Sequence, residues 1–105
     1  MDANLATVYI VDDDDAVRDA LGALLDSVSL RYASFPSAEA FLSAASPNVR
    51  GCLLLDVRMP GMSGLELQRL LQDRGIVMPV VIITGHGDVP MAVRALKAGA
   101  CDFIE

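Results

Sequence analysis

Gly51 to Gly64, G-C-L-L-L-D-V-R-M-P-G-M-S-G, runs an apolar segment straight into a carboxylate and then into a turn. Gly51 to Leu55 reads as a buried strand, and it stops at Asp56. The glycine- and proline-rich turn Met59-Pro60-Gly61-Met62 follows. Ser63 and Glu66 then form an S-x-x-E capping box, which opens a helix with Leu67, Leu70 and Leu71 on its apolar face. Gly75 suits the C-terminal end of that helix.

The same alternation extends in both directions. Upstream, Leu5 to Val11 is apolar and rich in β-branched residues, a buried strand. Val17, Leu21, Leu24, Leu25 and Val28 fall on one helical face, with Asp14 or Asp15 as the cap. Leu30 to Ser34 is a short, more polar strand suited to a sheet edge, and Pro36-Ser37 opens a helix carrying Ala40, Phe41 and Ala44 that ends before Pro47. Downstream, Pro79 to Thr84 is a fourth strand and Gly85-His86-Gly87 a loop. Asp88 caps a fourth helix with Val89, Val93 and Leu96, which Gly99 ends. Cys101 to Ile104 begins a fifth strand, and the sequence stops at Glu105. The order βαβαβαβαβ implies an α/β fold, a doubly wound parallel sheet with right-handed crossovers and helices on both faces. The near-continuous apolar strands agree, because parallel strands are buried on both sides.

Composition narrows the function. With 105 residues and a hydrophobic fraction of 53%, the chain fits one domain with a large core. No apolar run approaches the ~18–20 residues of a membrane span, and Met1-Asp2-Ala3-Asn4 lacks the features of a signal peptide, so a cytoplasmic location without membrane contact is expected. The net charge of −6 argues against direct contact with nucleic acid. Cys52 and Cys101 are expected to be buried, reduced thiols, and a single histidine, His86, argues against a multi-histidine metal centre.

The chemistry lies at the strand ends. The first strand ends in Asp12-Asp13, the third in Asp56 and the fourth in Thr84-Gly85. In open parallel sheets ligands bind beyond the carboxyl ends of the strands, where the strand order reverses. If the first and third strands are neighbours, three carboxylates converge. Two unit charges ~4 Å apart repel by roughly 4 kcal/mol at an effective dielectric of 20, and a hard divalent ion such as Mg²⁺ is the usual remedy. A carboxylate beside it can attack a phosphoryl group and form an acyl phosphate, and an Asp of ordinary pKa is already ionised at neutral pH. Thr84 could then hydrogen-bond the bound phosphoryl group. Taken alone, the four-Asp run reads as helix caps and surface; the conjunction of the three strand ends is the specific signal.

Val8–Asp14, Leu53–Gly64 and Val81–Glu105 together resemble the receiver domain of two-component response regulators, closest to its FixJ-like branch. That resemblance covers essentially the whole sequence. It implies a flavodoxin-like, five-stranded sheet in the order 2-1-3-4-5. It also implies that Asp56 is the phospho-acceptor, taking the phosphoryl group from a phosphohistidine on a sensor histidine kinase. Asp13, Asp56 and the backbone carbonyl of Arg58 would ligate Mg²⁺, and Asp12 would act through a metal-bound water. Thr84 matches the switch hydroxyl and Phe103 the switch aromatic. Family members dimerise on activation and reach DNA through an attached output domain, which lies outside residues 1–105.

Receiver domains also carry a lysine at the end of strand five and continue into a fifth helix, and the sequence stops short of both. A receiver truncated at the end of strand five is therefore expected, whether by shortening or because a longer protein continues. An apolar strip on the sheet face is expected as a consequence. Met59 and Met62 read as loop packing, His86 as a residue of the loop after strand four, and the Arg58 side chain as solvated. Two other classes compete with the switch. An aspartyl-phosphate phosphohydrolase would need a second Asp two positions after its nucleophile, where Arg58 stands. A degenerate receiver would act only as a protein-interaction or dimerisation module. No phosphate-binding loop of the G-x-x-x-x-G-K-[ST] type is present, and the Asp12 run lacks the glycine and terminal Glu of an EF-hand.

Overall fold

The computed structural model describes residues 6–45, 49–85 and 88–104. The N-terminal Met1–Asn4, Leu5, Pro47, the loop residues His86 and Gly87, and Glu105 lie outside the described residues. Nine elements alternate: β1 (Thr7–Val11), α1 (Asp15–Ser27), β2 (Tyr32–Phe35), α2 (Ala38–Ala44), β3 (Gly51–Asp56), α3 (Gly64–Asp73), β4 (Val80–Ile83), α4 (Val89–Lys97) and β5 (Asp102–Ile104). All strands are parallel, in the order β2-β1-β3-β4-β5. The doubly wound topology is thus as the alternation of elements implied, with β2 at an edge. That strand runs Tyr32–Phe35, later than the Leu30–Ser34 expected from hydropathy, and Leu30 is left exposed.

The apolar sequence sorts itself by strand parity. Tyr9, Val11, Leu53, Leu55, Val80, Ile82 and Phe103 stand on one face, against Ala38 and Phe41 of α2, Leu67 and Leu71 of α3 and Ala95 of α4. Tyr9, Phe35 and Phe41 pack ring against ring, with centroids 5.5–6.4 Å apart. The opposite face carries Ile10, fully buried, and α1. Over β3 and β4 that face is thinner: Cys52, Leu54, Val81 and Ile83 are only half-buried, and Ile104 of β5 is 54% exposed. Four helices cover the sheet among the described residues, and the expected apolar strip is there.

Local chemistry fixes the element ends. Asp14 caps α1, its Oδ1 accepting from the N–H groups of Ala16 and Val17. Ser37 caps α2 and Ser63 caps α3; the Ser63 hydroxyl accepts from Glu66 N–H (3.2 Å) and faces the Glu66 carboxylate (3.3 Å). Gly51 has a φ of +131°, a backbone region open to glycine, and a side chain there would meet the Thr7 carbonyl of the neighbouring strand.

Four expectations are corrected. On α4, Val89 and Val93 of the expected apolar face are exposed, and the helix buries Ala92 and Ala95 instead. On α1, Leu24 and Val28 are 60% and 58% exposed, because helical periodicity groups residues on a face without telling whether another element covers it. Cys101 is exposed and Cys52 half-buried, both as free thiols; Cys101 precedes the short edge strand β5. On α3, Gln68 is buried while Leu70 is only half-buried, and the Gln68 amide donates to the Ala95 carbonyl of α4 (3.0 Å).

Phe41 joins the aromatic cluster to the helices, so Phe41→Ala is expected to cost ~3–5 kcal/mol through lost burial and a residual cavity. Urea unfolding should show a lowered midpoint with an unchanged slope.

Candidate functional site

β1 and β3 are paired residue for residue, Val11 against Leu55, so their last residues reach the same edge. Asp56 is itself the register partner of Ile83 in β4, and Thr84 follows directly. This edge is the carboxyl end of the sheet at its topological switch point, since β1 is flanked by β2 on one side and β3 on the other. A cavity of about 300 Å³ opens there, lined by Asp12, Asp13, Asp14, Asp56, Thr84 and neighbouring residues.

Asp12, Asp13 and Asp56 each bring a carboxylate oxygen to within 4.8 Å of the others. Asp12 is 4% exposed, Asp56 half-buried and Asp13 exposed. Backbone donors fix two of the three: Asp14 N–H donates to Asp12 Oδ1 (2.9 Å), and Arg58 N–H donates to Asp56 Oδ1 (3.1 Å). Arg18, a residue that hydropathy does not single out, donates from Nη1 to the Asp12 carbonyl (2.6 Å) and is ion-paired with Asp15. Gly64 lies close against the backbone at the end of β3; a methyl group there would press on the Asp56 carbonyl and lie 2.9 Å from Val57 Cα.

This crowding costs ionisation. Burial, above all, together with the Asp12 and Asp13 carboxyls, pushes Asp56 up to about 7, against the Arg58 N–H that favours its charged form. Burial also raises Asp12. An Asp56 of ordinary pKa, ionised throughout the neutral range, is therefore corrected: without a cation it is only partly ionised there. The donor set suits a hard divalent ion, being all oxygen, closely spaced and destabilised by its own charge.

Thr84 is 4% exposed, and its Oγ1 is buried without a hydrogen-bond partner. Phe103 is half-buried and packed against the core; as register partner of Ile82 it stands on the same sheet face as Thr84, two residues on. Met59 is buried and Met62 packs against the core, as loop packing implied. Arg58 is corrected in part. Its side chain is exposed yet held: Nε donates to Asp88 Oδ1 (3.1 Å), and Nη2 forms an ion pair with the same oxygen (3.0 Å). Asp88 in turn sits at the N-cap of α4 but makes no side-chain cap bond. Pro90 explains why, because it removes one of the N–H groups such a cap would serve.

The response regulator receiver domain model matches residues 8–105. The chain is 56% identical over 98 residues to the transcriptional regulatory protein FixJ of Azorhizobium caulinodans, covering 93% of this chain and 46% of that protein. It is 50% identical over 103 residues to the response regulator protein TodT of Pseudomonas putida, covering 98% of this chain and 45% of that protein. The crystal structure of FixJ-N superposes with a TM-score of 0.88 at 54% identity, covering 97% of this chain and 82% of that one. The chain belongs to the response regulator receiver domain family, and its similar proteins are two-component transcriptional regulators. It spans less than half the length of these curated relatives. No described helix is long and apolar enough to cross a membrane.

The Asp56 shift predicts a pH dependence. Folding raises this carboxyl from 3.8 to about 7, so the folded chain holds its proton more tightly than the unfolded one. The stability tied to this proton is fully present below about pH 4 and is lost as pH rises through about 7. In chelator, the unfolding midpoint should fall across that window. Asp56→Asn should flatten the fall without abolishing it, since Asp12 is shifted the same way. Urea titrations of both proteins at the two ends of the window check this; parallel curves would contradict it.

Proposed function

We propose that this chain is a cytoplasmic phosphorylation switch in which Asp56 accepts a phosphoryl group from a phosphohistidine on a sensor histidine kinase. The observation that carries this reading is one cavity holding both a three-carboxylate cluster and a buried threonine hydroxyl without a partner. The cluster provides the nucleophile and the cation ligands; the hydroxyl provides a donor for an acceptor not yet in place.

Asp13, Asp56 and the Arg58 carbonyl would hold Mg²⁺ directly, with Asp12 acting through a water. When bound, Mg²⁺ offsets the charge on the transferring phosphoryl oxygens and favours the ionised acceptor. An ionised Asp56 oxygen attacks phosphorus, the P–N bond breaks, and its electron pair returns to the imidazole. Arg58 N–H, already on Asp56 Oδ1, keeps the carboxylate oriented for that attack. The product carries about −1.5 to −2 charge and new acceptor oxygens. Thr84 Oγ1 then has an acceptor, and Phe103, on the same face, takes up the space its movement opens. The result is a shifted α4–β5 surface, not turnover of a separate substrate. In the protein as a whole that surface would favour a homodimer and release a DNA-binding output domain lying outside this chain.

Intact mass after incubation with Mg²⁺ and acetyl phosphate tests this reading. A single phosphoryl adduct is expected, absent with chelator and absent in Asp56→Asn. No adduct in the wild type, at this length or extended through a following lysine and helix, would favour a degenerate receiver that acts only by protein interaction.

Thr84→Val keeps the acceptor and removes the donor. The variant should still be phosphorylated but should lose the conformational response, since a hydrogen bond to a charged acceptor is worth roughly 1.5–3 kcal/mol. Amide spectra with and without acetyl phosphate should then differ much less than in the wild type.

A further inference from the structure

α4 is fastened at its two ends in different ways. Its C-terminal half is bound to α3 by amide-to-carbonyl bonds, Gln68 Nε2 to Ala95 O (3.0 Å, buried) and Gln72 Nε2 to Ala98 O (2.7 Å). Its first turn is gripped by one exposed side chain from the loop after β3. Arg58 donates through Nε to Asp88 Oδ1 and through Nη2 to Met91 Sδ (3.1 Å), with Nη2 also ion-paired to Asp88 Oδ1. The buried end is therefore a pivot, and the solvent-facing end a releasable contact.

The released end is also the one next to the acceptor. The Arg58 backbone N–H is on Asp56 Oδ1, so the residue that grips α4 is anchored to the reacting carboxylate. The Asp88 carboxylate lies over Gly85, the residue after Thr84: a side chain built on Gly85 would lie 3.6 Å from Asp88 Oδ2. While Arg58 holds Asp88 there, the Thr84 hydroxyl beneath has no partner. Pro90 leaves the Asp88 side chain little to do as a cap, which frees it for the arginine.

We infer that the Arg58–Asp88 pair is a latch holding the first turn of α4 over Gly85 in the resting position, and that its opening lets α4 pivot about the Gln68–Ala95 bond. This deepens the proposed switch and rests on Asp56 being the acceptor. A new anion at Asp56 competes with Asp88 for the guanidinium, and movement of Thr84 toward that anion carries Asp88 away. The acceptor thus acts on α4 through charge as well as through the Thr84 hydroxyl. Arg58 is a positioning residue in this device.

The test separates the latch from the switch reading. Amide exchange of Met91 and Ala92, whose N–H groups donate to the Asp88 carbonyl, reads the latch in the unphosphorylated protein. Arg58→Ala and Asp88→Ala should each lower their protection about two- to five-fold, the range an exposed ion pair supports. The double variant should lose no more than either single one. The charge-swapped pair, Arg58→Asp with Asp88→Arg, should recover protection, and added salt should lower protection in the wild type and the swapped pair but not in the single variants. Each single variant should also take phosphate from acetyl phosphate about two- to five-fold faster than wild type. Unchanged protection, additive losses, or lowered protection with an unchanged phosphorylation rate would each overturn the latch. Absence of any adduct in the wild type would instead defeat the switch reading, while the exchange data would still decide whether the ion pair holds α4.

Discussion

The parallel pairing of β1 with β3 is the constraint on which the rest of the molecule depends. It sets Val11 beside Leu55 and so delivers Asp12, Asp13 and Asp56 to one edge, where like charges lie within 4.8 Å. Nothing in the sheet relieves that repulsion. The chain answers with backbone donors on Asp12 and Asp56, with Arg18 on the Asp12 carbonyl, and with a proton on Asp56 that persists toward neutral pH. A site that resists being fully charged is one that gains most from a bound cation.

The scaffold distributes rigidity to match. Three helices and an aromatic cluster seal one face of the sheet, giving the strand ends a fixed frame. The parts next to the site are held more loosely: an exposed arginine from the loop after β3 gripping the start of α4, a buried hydroxyl without a partner, and a short edge strand bearing Phe103. Loosely held parts beside a rigid frame move at low cost. The relatives FixJ and TodT are more than twice as long as the matched domain.

The strands, their order of appearance and the carboxylates at their ends were legible because each is a local property. Leu53-Leu54-Leu55 must be buried, Asp56 cannot continue that burial, and Ser63 with Glu66 starts a helix whatever lies elsewhere. From such features come the α/β class, the parallel sheet and the acidic edge.

What the tertiary structure alone decided concerns partners distant in sequence. Arg58 meets Asp88 thirty residues on, and Gln68 meets the Ala95 carbonyl twenty-seven residues on; neither pairing has a periodicity to betray it. The Asp56 shift likewise depends on burial and on neighbours from another strand, so residue type alone suggested an ordinary carboxylate. Leu24, Val28 and Cys101 looked internal because they are apolar, but they are exposed. The physical reason is common to all of them: sequence patterns report which residues share a face, whereas burial, charge and contact follow from what packs against that face.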